Sequence, residues 1–146
     1  MSYQFARIDL SKTDYSINTE WGYLIPTEEQ IAELDAIYRA YCIHKKFASV
    51  MPMFHSRYTD PMTDVIGYFN HHQMVAFSLI HRYDDKNAEC MQFAWTYHDP
   101  QSRLGIETMK TECAIYKARG FDYLYLEQAQ AYKKEIAGFE ILGPLP

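Results

Sequence analysis

Three strand-like runs in immediate succession constrain this chain most: residues 64–69 (DVIGYF), 73–83 (QMVAFSLIHRY) and 88–98 (AECMQFAWTYH). The connections between them, Asn70-His71-His72 and Asp84-Asp85-Lys86-Asn87, are short and polar. A connection of that length turns the chain back on itself and cannot carry a parallel crossover, so the three runs predict an antiparallel meander.

Helical signals flank the meander on both sides. Upstream, Thr27 and Gln30 have capping-box spacing, Glu28 and Glu29 suit the positive end of a helix dipole, and Ile31, Leu34, Ile37 or Tyr38 and Tyr41 recur at helical spacing to about Lys46. Downstream, Pro100 ends the third strand and Ser102 can cap a second helix that runs to Arg119. Ile106, Met109, Cys113 and Tyr116 form its stripe, Lys117 and Arg119 its basic last turn, and Gly120 its C′ residue. The run DYLYLE (122–127) follows as a short strand, parallel to the one before the helix. A strand at 3–10, an apolar patch at 21–25, a short polar helix at about 131–137 and a last strand at 139–142 complete the order. The fold class is α+β, or mixed α/β, in one domain over residues 1–146, the length of a single core.

Composition narrows the function classes. A net charge of −5 argues against binding duplex DNA, which draws on dense Lys and Arg. No apolar run of 18 residues and no signal-peptide h-region are present, so a cytoplasmic protein without a membrane partner is expected. Cys42, Cys90 and Cys113 are far apart and lack a C-x-x-C pair, which suggests neither a disulfide framework nor a zinc ribbon. The six histidines, His71-His72 included, lack the spacing of convergent zinc ligands, and no metal is expected. The 13 tyrosines suit half-buried strands and amphipathic contact surfaces without naming a ligand.

From about Asp64 onward, order and local sequence resemble the GNAT fold, the superfamily of acyl-CoA N-acyltransferases. AECMQFAWTYH running into DPQSRLGIETMK resembles the strand, turn and glycine-bearing helix start that hold the cofactor pyrophosphate. KARGFDYLYLE resembles the family's helix-Gly-strand passage, and AYKKEIAGFEILG its closing segment. Within the superfamily the likeness is nearest to the C-terminal half of aminoacyl-tRNA protein transferases. It is carried by Trp95 to Pro100, Arg103-Leu104-Gly105, Tyr123 to Leu126, Tyr132-Lys133 and Glu140 to Pro144. Two departures stand out. Glu107 occupies a place where the acyl-CoA signature has a small residue, and the Tyr132 to Gly138 spacing is about two residues longer than usual.

The resemblance implies transfer of an acyl or aminoacyl group to an amine-bearing small molecule or peptide, with acyl-CoA or aminoacyl-tRNA as donor. It implies backbone donors at Phe93, Ala94 and Trp95 for the oxyanion and an anion-binding turn at Arg103, Leu104, Gly105 and Ile106. His81 and Glu127 are the candidate bases, and Tyr132 is the candidate acid for the leaving group. The Tyr and Trp stripe of the 88–98 run is read as core. A homodimer is compatible with a domain of this size. The rival reading is a non-catalytic domain of the same shape that binds a peptide or protein, favoured by Glu107 in the pyrophosphate turn.

Overall fold

The computed structural model describes residues 4–17, 19–25, 27–44, 58–96, 104–126 and 134–144. Among these residues, seven strands and two long helices follow in the order β1 (Gln4–Asp9), β2 (Glu20–Leu24), α1 (Glu28–His44), β3 (Thr63–Asn70), β4 (Gln73–Arg82), β5 (Asn87–Trp95), α2 (Leu104–Ala118), β6 (Tyr123–Leu126) and β7 (Phe139–Pro144). The strands form one sheet in the order β2-β3-β4-β5-β6-β1-β7, antiparallel throughout except for the parallel pair β5 and β6. The fold is α+β with a mixed sheet, as the element pattern implies.

Local chemistry sets the boundaries. At the start of α1 the Gln30 amide donates to Thr27 Oγ1 and the Thr27 amide to Gln30 Oε1, both at 3.3 Å, which satisfies two of the orphan donors of the first turn. The β3–β4 hairpin turns on His71 and His72, both with positive φ (52° and 66°), the conformation a tight two-residue hairpin requires. At the end of α2, Gly120 sits at φ 87°. Its amide reaches the Lys117 carbonyl, the Phe121 amide reaches that of Tyr116, and the Phe121 ring packs edge-on against Tyr116 at 5.1 Å. This is a complete Schellman stop.

The two helices cover opposite faces of the sheet. Ile31, Leu34 and Ile37 of α1 pack with Val65, Phe77, Leu79 and Ala94. Ile106, Met109, Cys113 and Tyr116 of α2 pack with Ile66, Ile80, Ala88 and Leu124. Burial of each such side chain contributes on the order of 2 kcal/mol, which is what holds both helices down. No helix among the described residues is long and apolar enough to cross a membrane.

Two features differ from the sequence reading. The apolar patch at 21–25 is an edge strand, β2, whose register along β3 runs from Glu20 opposite Phe69 to Leu24 opposite Val65. The polar helix expected at 131–137 lies partly outside the described residues, and Lys134 and Glu135 lie in a 3-10 turn.

Candidate active site

Strand β5 is paired with β4 along its length but with β6 only from Asn87 opposite Tyr123 to Cys90 opposite Leu126. From Met91 to Trp95, β5 therefore has a strand partner on one edge alone among the described residues. The parting coincides with a bulge: Ile80 pairs with Cys90 and Leu79 with Gln92, so Met91 is the extra residue. Beyond the bulge the Thr96 amide donates to the Val75 carbonyl at 3.0 Å. By antiparallel alternation Ala94 and Gln92 also turn their backbone groups toward β4, while Phe93 and Trp95 turn theirs into the gap. The Gln92 side-chain amide donates to the Phe93 carbonyl at 2.9 Å.

Where β5 leaves β6, a cleft of about 670 Å³ opens, lined by Thr59, Asp60, Pro61, Thr63, His81, Glu89 and Met91. His81 Nδ1 lies 3.3 Å from Thr63 Oγ1 and 3.7 Å from Asp60 Oδ2. Asp60 is itself fixed, because its Oδ1 accepts from the Met62 amide at 2.9 Å. With Nδ1 turned to that side, Nε2 is the nitrogen available to a substrate. Strand register extends this arrangement into a transverse row on one sheet face: Thr63, His81, Glu89, Tyr125, Arg7 and Glu140 are successive cross-strand partners. The Tyr83 hydroxyl donates to Glu89, and the Tyr83 ring packs against His81 at 5.4 Å. Arg7 pairs with Glu140 at 2.8 Å and lies over the Tyr123 ring at 3.9 Å.

On the opposite face, Glu112 of α2 is 3% exposed and accepts from the Tyr68 hydroxyl (2.6 Å) and the Ser78 hydroxyl (2.9 Å), with the Cys90 thiol at 3.8 Å. Ser78 is the partner of Phe93 and Cys90 the last residue before the bulge, so this network underlies the place where β5 parts from β6. Nearby, Asp64 accepts from Tyr116 (2.6 Å) and Arg119 (2.8 Å).

These buried groups resist ionisation. Burial, and then the charge of Glu112, raise the Tyr68 phenol well above its usual range; burial and the bond to Asp64 do the same for Tyr116. Burial pushes the Cys113 thiol up to about 12. Below about pH 9 both folded and unfolded chains keep these protons and the contribution of burial is complete. Above it the unfolded chain releases protons first, so stability falls as pH rises. We expect the urea midpoint to hold up to about pH 9 and to drop steadily from there to pH 10.5; a flat profile would show that these groups are hydrated in the folded chain.

No protein-family model matches the sequence, and no curated protein matches it. Solved structures do. L-PGS from Bacillus licheniformis superposes with a TM-score of 0.70 at 14% identity, over 87% of this chain and 46% of that one. Saccharomyces cerevisiae N-myristoyltransferase with bound myristoyl-CoA gives 0.68 at 10% identity over 99% and 48%. A GCN5-related N-acetyltransferase from Kribbella flavida gives 0.54 at 13% identity over 100% and 59%. The fold is that of the GNAT acyltransferases. This chain spans about half the length of the first two.

Within this GNAT fold the residues singled out from sequence are dispersed. His81 lines the cleft, and the Phe93 and Trp95 amides face the gap. The Ala94 side chain is buried on the α1 face, and the Trp95 side chain is buried against the α2 layer. Leu104, Gly105 and Ile106 open α2, where Ile106 is core and the Gly105 carbonyl accepts from Thr108 Oγ1. Arg103, Glu127 and Tyr132 lie outside the described residues. Glu107 is paired with Lys110 at 3.8 Å, along the helix.

Sequence reasoning missed Thr63 and Glu89, which reach His81 through strand pairing, and Asp60, which approaches it from the turn before β3. It also missed Glu112, although positions 109, 112 and 116 share one helix face and a carboxylate within that apolar stripe was a readable signal.

Proposed function

We propose that this chain is an N-acyltransferase, transferring an acyl or aminoacyl group from an activated donor to an amine held beside His81. The observation that carries this reading is the parting of β5 from β6 next to the His81 cleft. By strand alternation the Phe93 N–H turns into the gap just beyond Met91, and Met91 lines a cleft large enough for a small acceptor.

In this reading acyl-CoA is the first donor to test. Among the described residues the β5 edge from Met91 to Phe93 has no strand partner on the β6 side, which suits the amide-bearing arm of such a molecule, able to bond to a strand edge as an added strand does. The start of α2 at Leu104, Gly105 and Ile106, with Arg103 before it, would face the phosphates, since a helix N-terminus favours anions. Glu107 is less of an obstacle than its charge suggests, because Lys110 partly neutralises it. When bound, acyl-CoA supplies a thioester carbonyl open to attack.

The chain's own groups then divide the work. His81 takes the proton of the attacking amine, oriented from its far nitrogen by Thr63 and Asp60. On the strength of the sequence resemblance, the backbone amides near Phe93 stabilise the developing oxyanion, a role worth about 3 kcal/mol for each donor in comparable sites. Glu127 as a second base and Tyr132 as the acid complete the proposal on the strength of the sequence resemblance. A cytoplasmic setting, with Cys42, Cys90 and Cys113 reduced, goes with it.

Thermal unfolding with and without millimolar acetyl-CoA, myristoyl-CoA and free CoA tests the donor. A ligand at about 100 times its Kd adds about 2.7 kcal/mol, so the expected result is a Tm rise of several degrees with at least one thioester. No shift with any of them contradicts acyl-CoA as donor, and stabilisation by aminoacyl-tRNA instead would assign that role to the tRNA ester.

A further inference from the structure

We infer that the acceptor is a short aliphatic diamine or polyamine, whose second ammonium is anchored by Glu89 while its reacting amine faces His81. This rests on the N-acyltransferase reading for the site and goes further by naming what the site selects. His81 and Glu89 are direct cross-strand partners, and Tyr125 on β6 is the next residue in the row. Base, carboxylate and aromatic ring thus follow one another at strand spacing on one face. Adjacent strands lie about 4.8 Å apart, close to the separation of the two nitrogens of a short diamine.

Charge supports the same occupant. Asp60 and Glu89 line the cleft, whereas no Lys or Arg does among the described residues. The neighbouring cations are engaged elsewhere: Arg7 with Glu140, Arg119 with Asp64, and Arg82 with the Pro61 carbonyl and, at 3.3 Å from its Nε, with Asp64. The two carboxylates have different tasks. Asp60 lies against Nδ1 of His81 and orients the base, so a cation bound there would compete with the imidazole. Glu89 receives one hydrogen bond from Tyr83, which fixes the carboxylate while leaving acceptor capacity for an ammonium. The rings of Tyr83, 54% exposed, and Tyr125 lie 6.4 Å apart beside it and can face the methylene chain or the charge. A monoamine would satisfy the base and leave Glu89 unused.

Isothermal titration calorimetry without any donor tests this, comparing 1,4-diaminobutane with butylamine at one ionic strength. The diamine should bind the wild-type chain about tenfold more tightly, and Glu89→Gln should bring the two within about threefold, with Glu89→Asp restoring part of the preference. Equal affinities in the wild type, no binding of either amine, or a preference that survives Glu89→Gln would overturn the inference. Because no donor is present, a diamine preference lost with Glu89 in a chain that turns over no thioester would leave this inference standing and remove the transferase reading. Turnover that is equally fast with monoamines and diamines would do the reverse.

Discussion

Replacing Glu112 with Ala should lower stability by about 4 kcal/mol, enough to reduce Tm by roughly 10 °C in a domain of this size. The carboxylate is 3% exposed and is the acceptor for both the Tyr68 and the Ser78 hydroxyl. Truncation leaves the Ser78 hydroxyl without its acceptor and the Tyr68 hydroxyl with only the longer bond to the Thr108 carbonyl (3.3 Å), at a cost of about 1 to 3 kcal/mol for a lost partner, and opens a cavity between α2 and the sheet. Glu112→Gln keeps one acceptor oxygen and should cost less. The combination Glu112→Leu, Tyr68→Phe and Ser78→Ala removes donors together with the acceptor, and should be less damaging than Glu112→Ala alone. Urea denaturation of the variants measures all three; a Glu112→Ala protein within 1 kcal/mol of wild type would show that water or other groups already serve this network.

Gly138→Ala should cost about 3 kcal/mol or more and loosen the β1–β7 end of the sheet first. Gly138 has φ 78°, and a methyl built on it would overlap the carbonyl oxygen of Asp9. The Asp9 amide also donates to the Gly138 carbonyl at 2.9 Å, so the two backbones cannot separate without losing that bond. Gly120→Ala is the control. Its φ is 87°, but the nearest atom to an added methyl is Lys86 Nζ at 3.9 Å, so only the backbone strain of about 1 kcal/mol remains. The gap between the two substitutions isolates the contact, and equal costs would contradict it. Hydrogen exchange should show β1 and β7 amides losing protection in Gly138→Ala before those of β3 and β4.

The parts of the fold that depend on neighbours in sequence were legible. Thr27 and Gln30 announced the start of α1, Gly120 the end of α2, and the polar connections at 70–72 and 84–87 the meander of β3, β4 and β5. What depended on distant partners was not. Trp21 to Leu24 form too short a run to show a pattern, and they become a strand because β3 offers them a free edge. Nothing local tells β1 to lie between β6 and β7, since that position follows from pairings across more than 110 residues. The same division runs through the site. His81 could be chosen as a titratable group on a strand, but Glu89 meets it only through register and Asp60 from the turn before β3, and one residue of slip would turn Glu89 to the other face. The bulge at Met91 was equally hidden, because an inserted residue breaks the alternation that sequence reading relies on.

Steady-state release of CoA from an acyl-CoA in the presence of 1,4-diaminobutane, measured for the wild-type chain and for His81→Gln, tests the central claim most directly. His81→Gln keeps much of the shape of the side chain and removes the base, so it should retain the wild-type Tm and lower kcat by about 10²- to 10⁴-fold, with the loss shrinking as pH rises and the amine deprotonates on its own. Turnover within a fewfold of wild type in a folded His81→Gln chain would contradict a role for the His81 cleft in the chemistry, and no turnover by the wild type with any thioester or aminoacyl-tRNA would contradict the transferase itself.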